Sequence, residues 1–299
     1  MSTFDPDALE CLAAIVEEGG FERAAQRLSI TQSAVSQRLR ALEAQVGTVL
    51  IVRSRPLKAT AAGLLLLKHT KQLRLLRADL ERDMKELAPS STGGTRDEER
   101  ISIAINADSI ATWALTALNP LAVQGLPLEV ITDDQDFTHE WLREGQVLGC
   151  VTTVKQALRG CKVLPLGAMR YVAVAAPDYA RTLTPHNFRT HPFIAFNRKD
   201  DMQSEFVSHA FGLKRVTLNQ LFVPSSEGQV RAVLAGWGVS VVPELLVAGL
   251  LAQNQLINVA PDHVLPIALY WHCWNLESEV LDTLTAALAA AAAKVLVTA

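Results

Sequence analysis

The chain has 299 residues, of which 49% are hydrophobic and 20% charged, and its formal net charge is −3. This composition excludes a largely disordered protein, and the length is sufficient for two or three domains. No apolar run is long and uninterrupted enough to span a membrane, and acids stand where a secretory signal carries basic residues, so we expect a cytoplasmic protein. Neither a disulfide framework nor a zinc site is expected from the four scattered cysteines, Cys11, Cys150, Cys161 and Cys273.

The charge is unevenly distributed along the chain. Residues 21–60 carry seven basic and two acidic side chains, although the whole chain is slightly acidic. A near-neutral protein with one concentrated basic segment is typical of a chain that docks on nucleic acid through one module. A solvated charged face is the alternative interpretation of this segment.

Three helices are predicted at the N-terminus, over residues 5–18, 21–28 and 32–46. Gly19 and Gly47 end the first and the third, and Thr31 is a good N-cap for the third. Apolar residues at helical spacing in the third helix predict one core-facing side. A polar helix face that follows a tight turn is what insertion into the major groove of DNA requires. The candidate DNA-contacting residues of this helix and its cap are Thr31, Gln32, Ser33, Ser36, Gln37, Arg38 and Arg40.

Residues 49–60, VLIVRSRPLKAT, predict two short strands around a turn, a wing whose cations would reach phosphates. The stretch FERAAQRLSITQSAVSQRLRALEAQVGTVLIVRSRPLKATAAG closely resembles the winged helix-turn-helix of LysR-type transcriptional regulators. The resemblance implies a DNA-binding domain over residues 1–60. It also implies that Gln32, Ser33, Ser36, Arg38 and Arg40 lie nearest the DNA, with Arg53 and Arg55 in the wing.

A long helix is predicted next, over residues 61–88, followed by a polar hinge at 89–100. Leucines recur every seven residues in this helix, which predicts a coiled-coil seam. A helix of about 40 Å is too long to fold back onto a 60-residue module, so we expect a homodimer that reads a pseudo-palindromic operator in double-stranded DNA. Packing on the remainder of the chain is the alternative, and the family resemblance adds a homotetramer. The predicted dimerisation residues are Leu66, Leu73, Leu76, Leu80 and Leu87.

Residues 101–299 alternate short strands with helices, which predicts an α/β region with a parallel sheet. We infer two similar Rossmann-like lobes, the first formed by residues 101–163 and 268–299 and the second by residues 164–267. The effector domain of the LysR family, which resembles a periplasmic solute-binding fold, has this architecture.

Candidate effector-binding residues follow the predicted strands, because open α/β sheets bind ligands at the carboxyl ends of their strands. Acids are frequent there, and acids gathered in one cleft favour a positively charged ligand. The amides at a helix start beside Ser109 or Ser226 can hold a carboxylate, so a basic amino acid satisfies both features. Alternatively, Asp108 and Glu227 suit first helical turns without any ligand. The candidates are Asn106, Asp108, Ser109, Trp113, Asp133, Thr152, Asn197, Asp200, Asp201, Ser226 and Glu227.

The motifs NADSIATW, LREGQVLGCV, LGAMRYVAV, KDDM and VPSSEGQV resemble the ArgP/LysG branch of the LysR family, which controls basic amino acid export. The resemblance implies lysine or arginine as the effector and an exporter gene as the target, with RNA polymerase as a candidate partner. Whether the effector activates or represses stays open. No catalytic motif such as GxSxG, HExxH or a P-loop occurs, so we expect neither an enzyme nor a resident cofactor or metal. The alternatives are a LysR-type regulator of another effector and a chromosomal architectural protein without an effector.

Overall fold

The computed structural model describes residues 4–52, 54, 57–87, 100–133, 137–184, 186–214 and 216–298, except for the side chains of residues 85–87. The chain divides into two compact units. The first contains Met1–Glu98 with Glu140–Leu148 and Glu277–Val280, and the second contains Glu99–His139, Gly149–Leu276 and Leu281–Ala299. Among the described helices, none combines the length and the apolar character that crossing a bilayer demands.

The first unit begins with three helices, α1 (Pro6–Glu18), α2 (Phe21–Arg27) and α3 (Gln32–Val46). Their ends follow from local chemistry. Asp5 caps α1 through its side chain, and Gly19 ends α1 with a left-handed φ of 64° that glycine adopts without strain. The apolar faces of the three helices share one core, whose largest members include Leu12, Ile15 and Leu42.

A two-stranded wing follows, formed by β1 (Ile51–Val52) and β2 (Lys58–Ala59), and leads into the long helix α4 (Ala61–Leu87). The backbone N of Leu50 donates to Glu43 Oε1 at 2.8 Å, which ties the chain before the wing to α3. The start of α4 approaches the same point closely. A Cβ on Gly63 would lie 2.2 Å from the carbonyl oxygen of Leu50, so only glycine permits this approach.

The second unit contains most of the remaining elements. In chain order they are β3 (Ile101–Asn106), α5 (Ala107–Ser109), a π-helical turn (Ile110–Ala114), α6 (Leu115–Val123), β4 (Leu128–Asp133), α7 (Thr138–Arg143), β5 (Gly149–Thr152), β6 (Cys161–Ala175), α8 (Pro177–Ala180), a 3₁₀ turn (Phe188–Thr190), β7 (Pro192–Ala195), α9 (Met202–Ala210), β8 (Asn219–Phe222), α10 (Ser226–Leu234), β9 (Ser240–Pro243), α11 (Glu244–Ala252), β10 (Ile257–Asn258), β11 (Leu265–Trp274) and α12 (Glu279–Val295). Residues Glu140–Leu148 and Glu277–Val280 of this span are counted with the first unit.

Two long strands, β6 and β11, connect two lobes of the second unit, and β11 pairs antiparallel along its whole length with Cys161–Tyr171 of β6. In the first lobe β3 pairs in parallel with β4 and β5, and the end of β11 pairs antiparallel with β5. In the second lobe the end of β6 pairs antiparallel with β9 and β10, while β7 and β8 pair in parallel.

The sheet is therefore mixed, which corrects the expectation of a parallel sheet. Parallel pairing holds for β3 with β4 and β5 and for β7 with β8, where helices connect successive strands. The connecting segments do not form short links between lobes but extend into strands of 15 and 10 residues, and these pair with each other antiparallel.

Candidate functional site

The third helix presents a polar face to solvent. Its first turn contains no acid that would repel a phosphate. The hydroxyl of Thr31 accepts from the backbone N of Ala34 at 3.1 Å, so this side chain caps the helix. Amide, hydroxyl and guanidinium groups are the types that bind base edges and phosphates. The exposed or partly exposed polar side chains on this helix include Gln32, Ser33, Ser36, Gln37 and Arg40.

Arg38 differs from these neighbours. Its Nη2 atom lies 3.0 Å from Oδ2 of Asp7, and its guanidinium also lies beside the Cys11 thiol, both on α1. The structure therefore directs Arg38 toward α1 and does not group it with the exposed face. The two wing arginines, Arg53 and Arg55, lie outside the described residues.

The long helix α4 carries a row of exposed apolar side chains. Leu73, Leu76 and Leu80 are 43%, 40% and 59% exposed. Leu66 differs from the expectation of a seam residue, because it is buried in the core of the three-helix module. The side chain of Leu87 lies outside the part of the chain that is described.

Ion pairs connect α4 to α1 within the first unit. Arg74 donates through Nε to Glu10 at 2.9 Å and through Nη1 to Glu17 at 3.0 Å. Lys71 and Arg27 also lie near Glu17. Burial opposes the ionisation of Glu17, but the three cations outweigh it and hold the pKa of this carboxyl below its ordinary value. The position of α4 against α1 is thus fixed by charge as well as by packing.

A small, partly open cavity lies in the second unit. Four of the sequence-predicted effector residues line it, namely Asn106, Asp108, Asp133 and Asp200. Asn106 and Asp133 end two adjacent parallel strands, Asp108 lies in the short helix that follows β3, and Asp200 precedes α9. The cavity thus brings three carboxyl groups together, and no Lys, Arg or His is found among the described residues that line it.

The surroundings of Asp108 oppose the charged form of its carboxyl group. The hydroxyl of Tyr171 on β6 donates to Oδ2 of Asp108 at 2.7 Å. Asp108 is partly exposed, but protein atoms surround most of its carboxyl group. This burial raises the pKa of the carboxyl group. The nearby Asp200 raises it further, whereas the hydroxyls of Ser226 and Tyr171 oppose the shift. Placing a cation beside Asp108 would reverse this penalty on the charged form.

Asp200 is held in a different way. Its Oδ2 accepts from the backbone N of Phe196 at 2.7 Å, and its Oδ1 accepts from the backbone N of Met202 at 2.9 Å. These bonds organise the turn between β7 and α9 and fix the carboxylate at the cavity wall. The Asp200 carboxyl group therefore keeps one position at the cavity wall.

Asn106 has unsatisfied hydrogen-bonding capacity. Its side chain is 1% exposed, and neither Oδ1 nor Nδ2 has a hydrogen-bond partner among the described residues. A buried polar atom without a partner costs free energy, and native proteins rarely keep one without a reason. An amide that lines a cavity and lacks partners can both donate to a carboxylate and accept from an ammonium group.

The other predicted effector residues do not line the cavity. Ser109, Trp113, Thr152 and Ser226 are buried, and the Ser226 hydroxyl has no hydrogen bond within normal geometry although it lies near Asp108. Ser225, and not Ser226, caps α10. The remaining three predicted residues, Asn197, Asp201 and Glu227, are partly or fully exposed.

Several cavity residues were missed by sequence reasoning. Tyr171 lies on a long strand that crosses between lobes, and Val241 lies within a strand, so neither follows a strand end. Gln203 and Gln229 belong to the first turns of α9 and α10, and the strand-end rule extended by one helical turn would have found them. Both amides already serve the fold, since Gln203 bonds the backbone of Val241 and Gln229 accepts from Ser240. Phe196 and Met202 supply apolar wall.

Two families of known domains match this chain. Residues 6–64 match the family described as "Bacterial regulatory helix-turn-helix protein, lysR family". Residues 94–294 match the family described as "LysR substrate binding domain". The two matches cover most of the chain and correspond to the three-helix module and the two-lobed sheet.

Similar proteins extend over the whole length. The HTH-type transcriptional regulator ArgP of Pseudomonas aeruginosa is 41% identical over 298 residues, which cover 98% of this chain and 97% of the relative. The crystal structure of ArgP from Mycobacterium tuberculosis has a TM-score of 0.86 and 39% identity, with 100% of both chains covered. Full-length LysG from Corynebacterium glutamicum with bound effector Arg has a TM-score of 0.75 and 34% identity, covering 98% of this chain and 99% of that chain.

Proposed function

The chain belongs to the LysR family of bacterial regulatory helix-turn-helix proteins, and from this premise we propose a cytoplasmic transcriptional regulator whose effector is lysine or arginine. The ligand binds in the cavity of the second unit, and the protein releases it without a chemical change. The regulated gene is that of a basic amino acid exporter, as the ArgP/LysG resemblance implies.

The observation that carries the effector proposal is the charge of the cavity. Three carboxyl groups face one space, and no basic side chain is found among the described residues that line it. Like charges that are held together favour the binding of a cation, because the cation relieves their repulsion. Phe196, Met202 and Val241 provide apolar wall for the methylene groups of a lysine or arginine side chain. The unpartnered amide of Asn106 suits the polar end of such a ligand.

DNA recognition is assigned to α3 and the wing. Gln32, Ser33, Ser36, Gln37 and Arg40 would contact bases and phosphates, and Arg53 and Arg55 would hold the wing on the phosphate backbone. Thr31 would act by capping the helix and aiming its first turn at the groove. Arg38 would position α3 on α1 through Asp7 and would contact DNA only after that ion pair opens.

Association is assigned to the exposed apolar face of α4. Leu73, Leu76 and Leu80 fall on one side of the helix together with Met84, which is 51% exposed. A row of this kind is typical of a helix that packs against a second copy. A homodimer would place two copies of α3 on paired half-sites of an operator, and a homotetramer and contact with RNA polymerase would extend the same scheme.

Calorimetric titration of the full-length protein tests the effector proposal. We expect saturable binding of lysine and arginine and none of glutamine or glutamate. Asp133→Asn should weaken arginine binding because it removes charge from the cavity. Asp178→Asn, the same change at a carboxylate that is 93% exposed on α8, should leave binding unaltered. A folded protein that binds neither basic amino acid would refute the effector assignment and leave the DNA-binding assignment standing.

A further inference from the structure

The three carboxyl groups of the cavity are not equivalent. The carboxyl group of Asp200 accepts hydrogen bonds from two backbone amides, which fix its position. Asp133 is the last residue of β4. The carboxyl group of Asp108 accepts from the hydroxyl of Tyr171, lies near the hydroxyl of Ser226, and lines the same cavity as Asp200. No cation lies among the described residues that line this space. A charge on Asp108 therefore lies in a partly closed space beside a second carboxyl group, with no cation among the described lining residues.

A second observation marks the same place as a ligand site. Asn106 lies two residues before Asp108, is 1% exposed, and has no partner for either polar atom of its amide among the described residues. Its amide lines the same cavity. A cluster of acids alone can be structural, whereas an unpaired buried amide that lines the same cavity is a second, independent sign of a polar ligand.

Resting on the proposed function, we infer that Asp108 carries a proton in the empty protein and gives it up to the solvent when the cationic group of the ligand takes its place. The O–H bond of the carboxyl group breaks, the proton passes to the buffer, and the carboxylate forms an ion pair with the ammonium or guanidinium group. The charge balances, because one positive charge enters the cavity and one leaves it. Tyr171 keeps its hydrogen bond to Oδ2 throughout and so holds the carboxyl group toward the ligand.

Proton displacement makes the affinity depend on pH in a defined direction. Burial and Asp200 raise the pKa of Asp108 in the empty protein, and a bound cation lowers it. As pH falls through the pKa that Asp108 has in the ligand-free protein, the ligand must displace a proton and binds more weakly. One displaced proton changes the dissociation constant by up to about tenfold per pH unit, whereas the ligand's own side chain keeps its charge in this range.

The test is calorimetric titration of the full-length protein with arginine between about pH 6 and about pH 8, in two buffers with different ionisation enthalpies. We expect the apparent binding enthalpy to differ between the buffers by an amount equal to the release of up to about one proton. The dissociation constant should fall as pH rises. Asp108→Asn, which keeps the shape and an acceptor for Tyr171, should abolish both effects and weaken arginine binding.

Asp133→Asn serves as the matched variant, since it removes a cavity charge but should retain the buffer dependence. Thermal unfolding of each variant establishes that it is folded. Equal enthalpies in both buffers with tight arginine binding would overturn the inference and leave the proposed function intact. Undiminished proton release in Asp108→Asn would overturn it as well, because the proton would then come from another group. Absence of binding by every basic amino acid would remove the inference together with the effector assignment.

Discussion

The three-helix module and the proposed effector cavity differ in whether their buried polar side-chain atoms have hydrogen-bond partners. Among described residues 4–52, no buried side-chain N or O atom lacks a hydrogen-bond partner, and Asp5, Thr31 and Glu43 all close local bonds. At the cavity wall, both polar atoms of the buried Asn106 amide lack a partner among the described residues. The proposed DNA-binding surface thus lies on a scaffold whose buried side-chain polar atoms have partners, whereas the proposed ligand cavity contains a buried amide without them.

The largest expected effect concerns the scaffold. Arg74→Met should lower the free energy of unfolding by about 2 to 4 kcal/mol, because Glu10 and Glu17 then lie together with their main cation removed. Urea denaturation of the full-length protein measures this loss. Arg181→Met, at an ion pair whose arginine is 78% exposed, should change stability by less than about 0.5 kcal/mol. Equal stability of Arg74→Met and wild type would mean that packing alone holds α4 on α1.

The next effect concerns the reading surface. Arg40→Ala should weaken binding to a DNA fragment selected from a random library by the wild type, with a loss of about 1 to 3 kcal/mol. Fluorescence anisotropy at fixed salt measures the affinity. Arginine binding should not change, since Arg40 belongs to the first unit. Wild-type DNA affinity in this variant would remove Arg40 from the interface.

A smaller effect of opposite sign is expected at the cavity. Asn106→Leu should raise the free energy of unfolding by about 1 kcal/mol, because an unpaired buried amide is replaced by an apolar group of similar size. The same variant should lose arginine binding. Thermal unfolding and calorimetric titration measure the two properties. A destabilised Asn106→Leu protein would show that the amide has a structural role. It would contradict the proposed difference between the three-helix module and the cavity.

The smallest effect is the acid sensitivity of the module. Because the folded protein holds the pKa of Glu17 below its ordinary value, its stabilising contribution is present above the unfolded pKa and is lost as pH falls through the folded value. Glu17→Gln should therefore make the urea midpoint fall less steeply with acidification. A variant with the slope of the wild type would assign the acid sensitivity to other carboxyl groups.

Local chemistry made much of the fold predictable. Residues such as Thr31 and Gly47 mark helix ends through bonds to their own neighbours, so α3 begins and ends where the sequence indicates. Asp108 and Asp133 were found because strand ends of a parallel sheet meet at one edge. Such rules depend only on the order of elements along the chain.

Other features depend on contacts between distant residues. The position of Arg38 on α3 predicts a contact with DNA, but Arg38 forms an ion pair with Asp7 on α1. The seven-residue repeat of α4 contains Leu66, yet the three-helix core covers that side chain. Tyr171 reaches Asp108 from a crossing strand 63 residues further along the chain. Sequence periodicity identifies a face of an element and does not state what covers it.

For a regulator that responds to its effector, we expect ligand binding in the cavity to alter DNA binding by the three-helix module. The most direct test is the affinity of the full-length protein for the selected DNA fragment, measured with and without saturating arginine. We expect a change of several-fold, matched by an equal change in arginine affinity when DNA is bound, because the coupling free energy is reciprocal. Identical DNA affinity with and without arginine, in a protein that binds both, would contradict it.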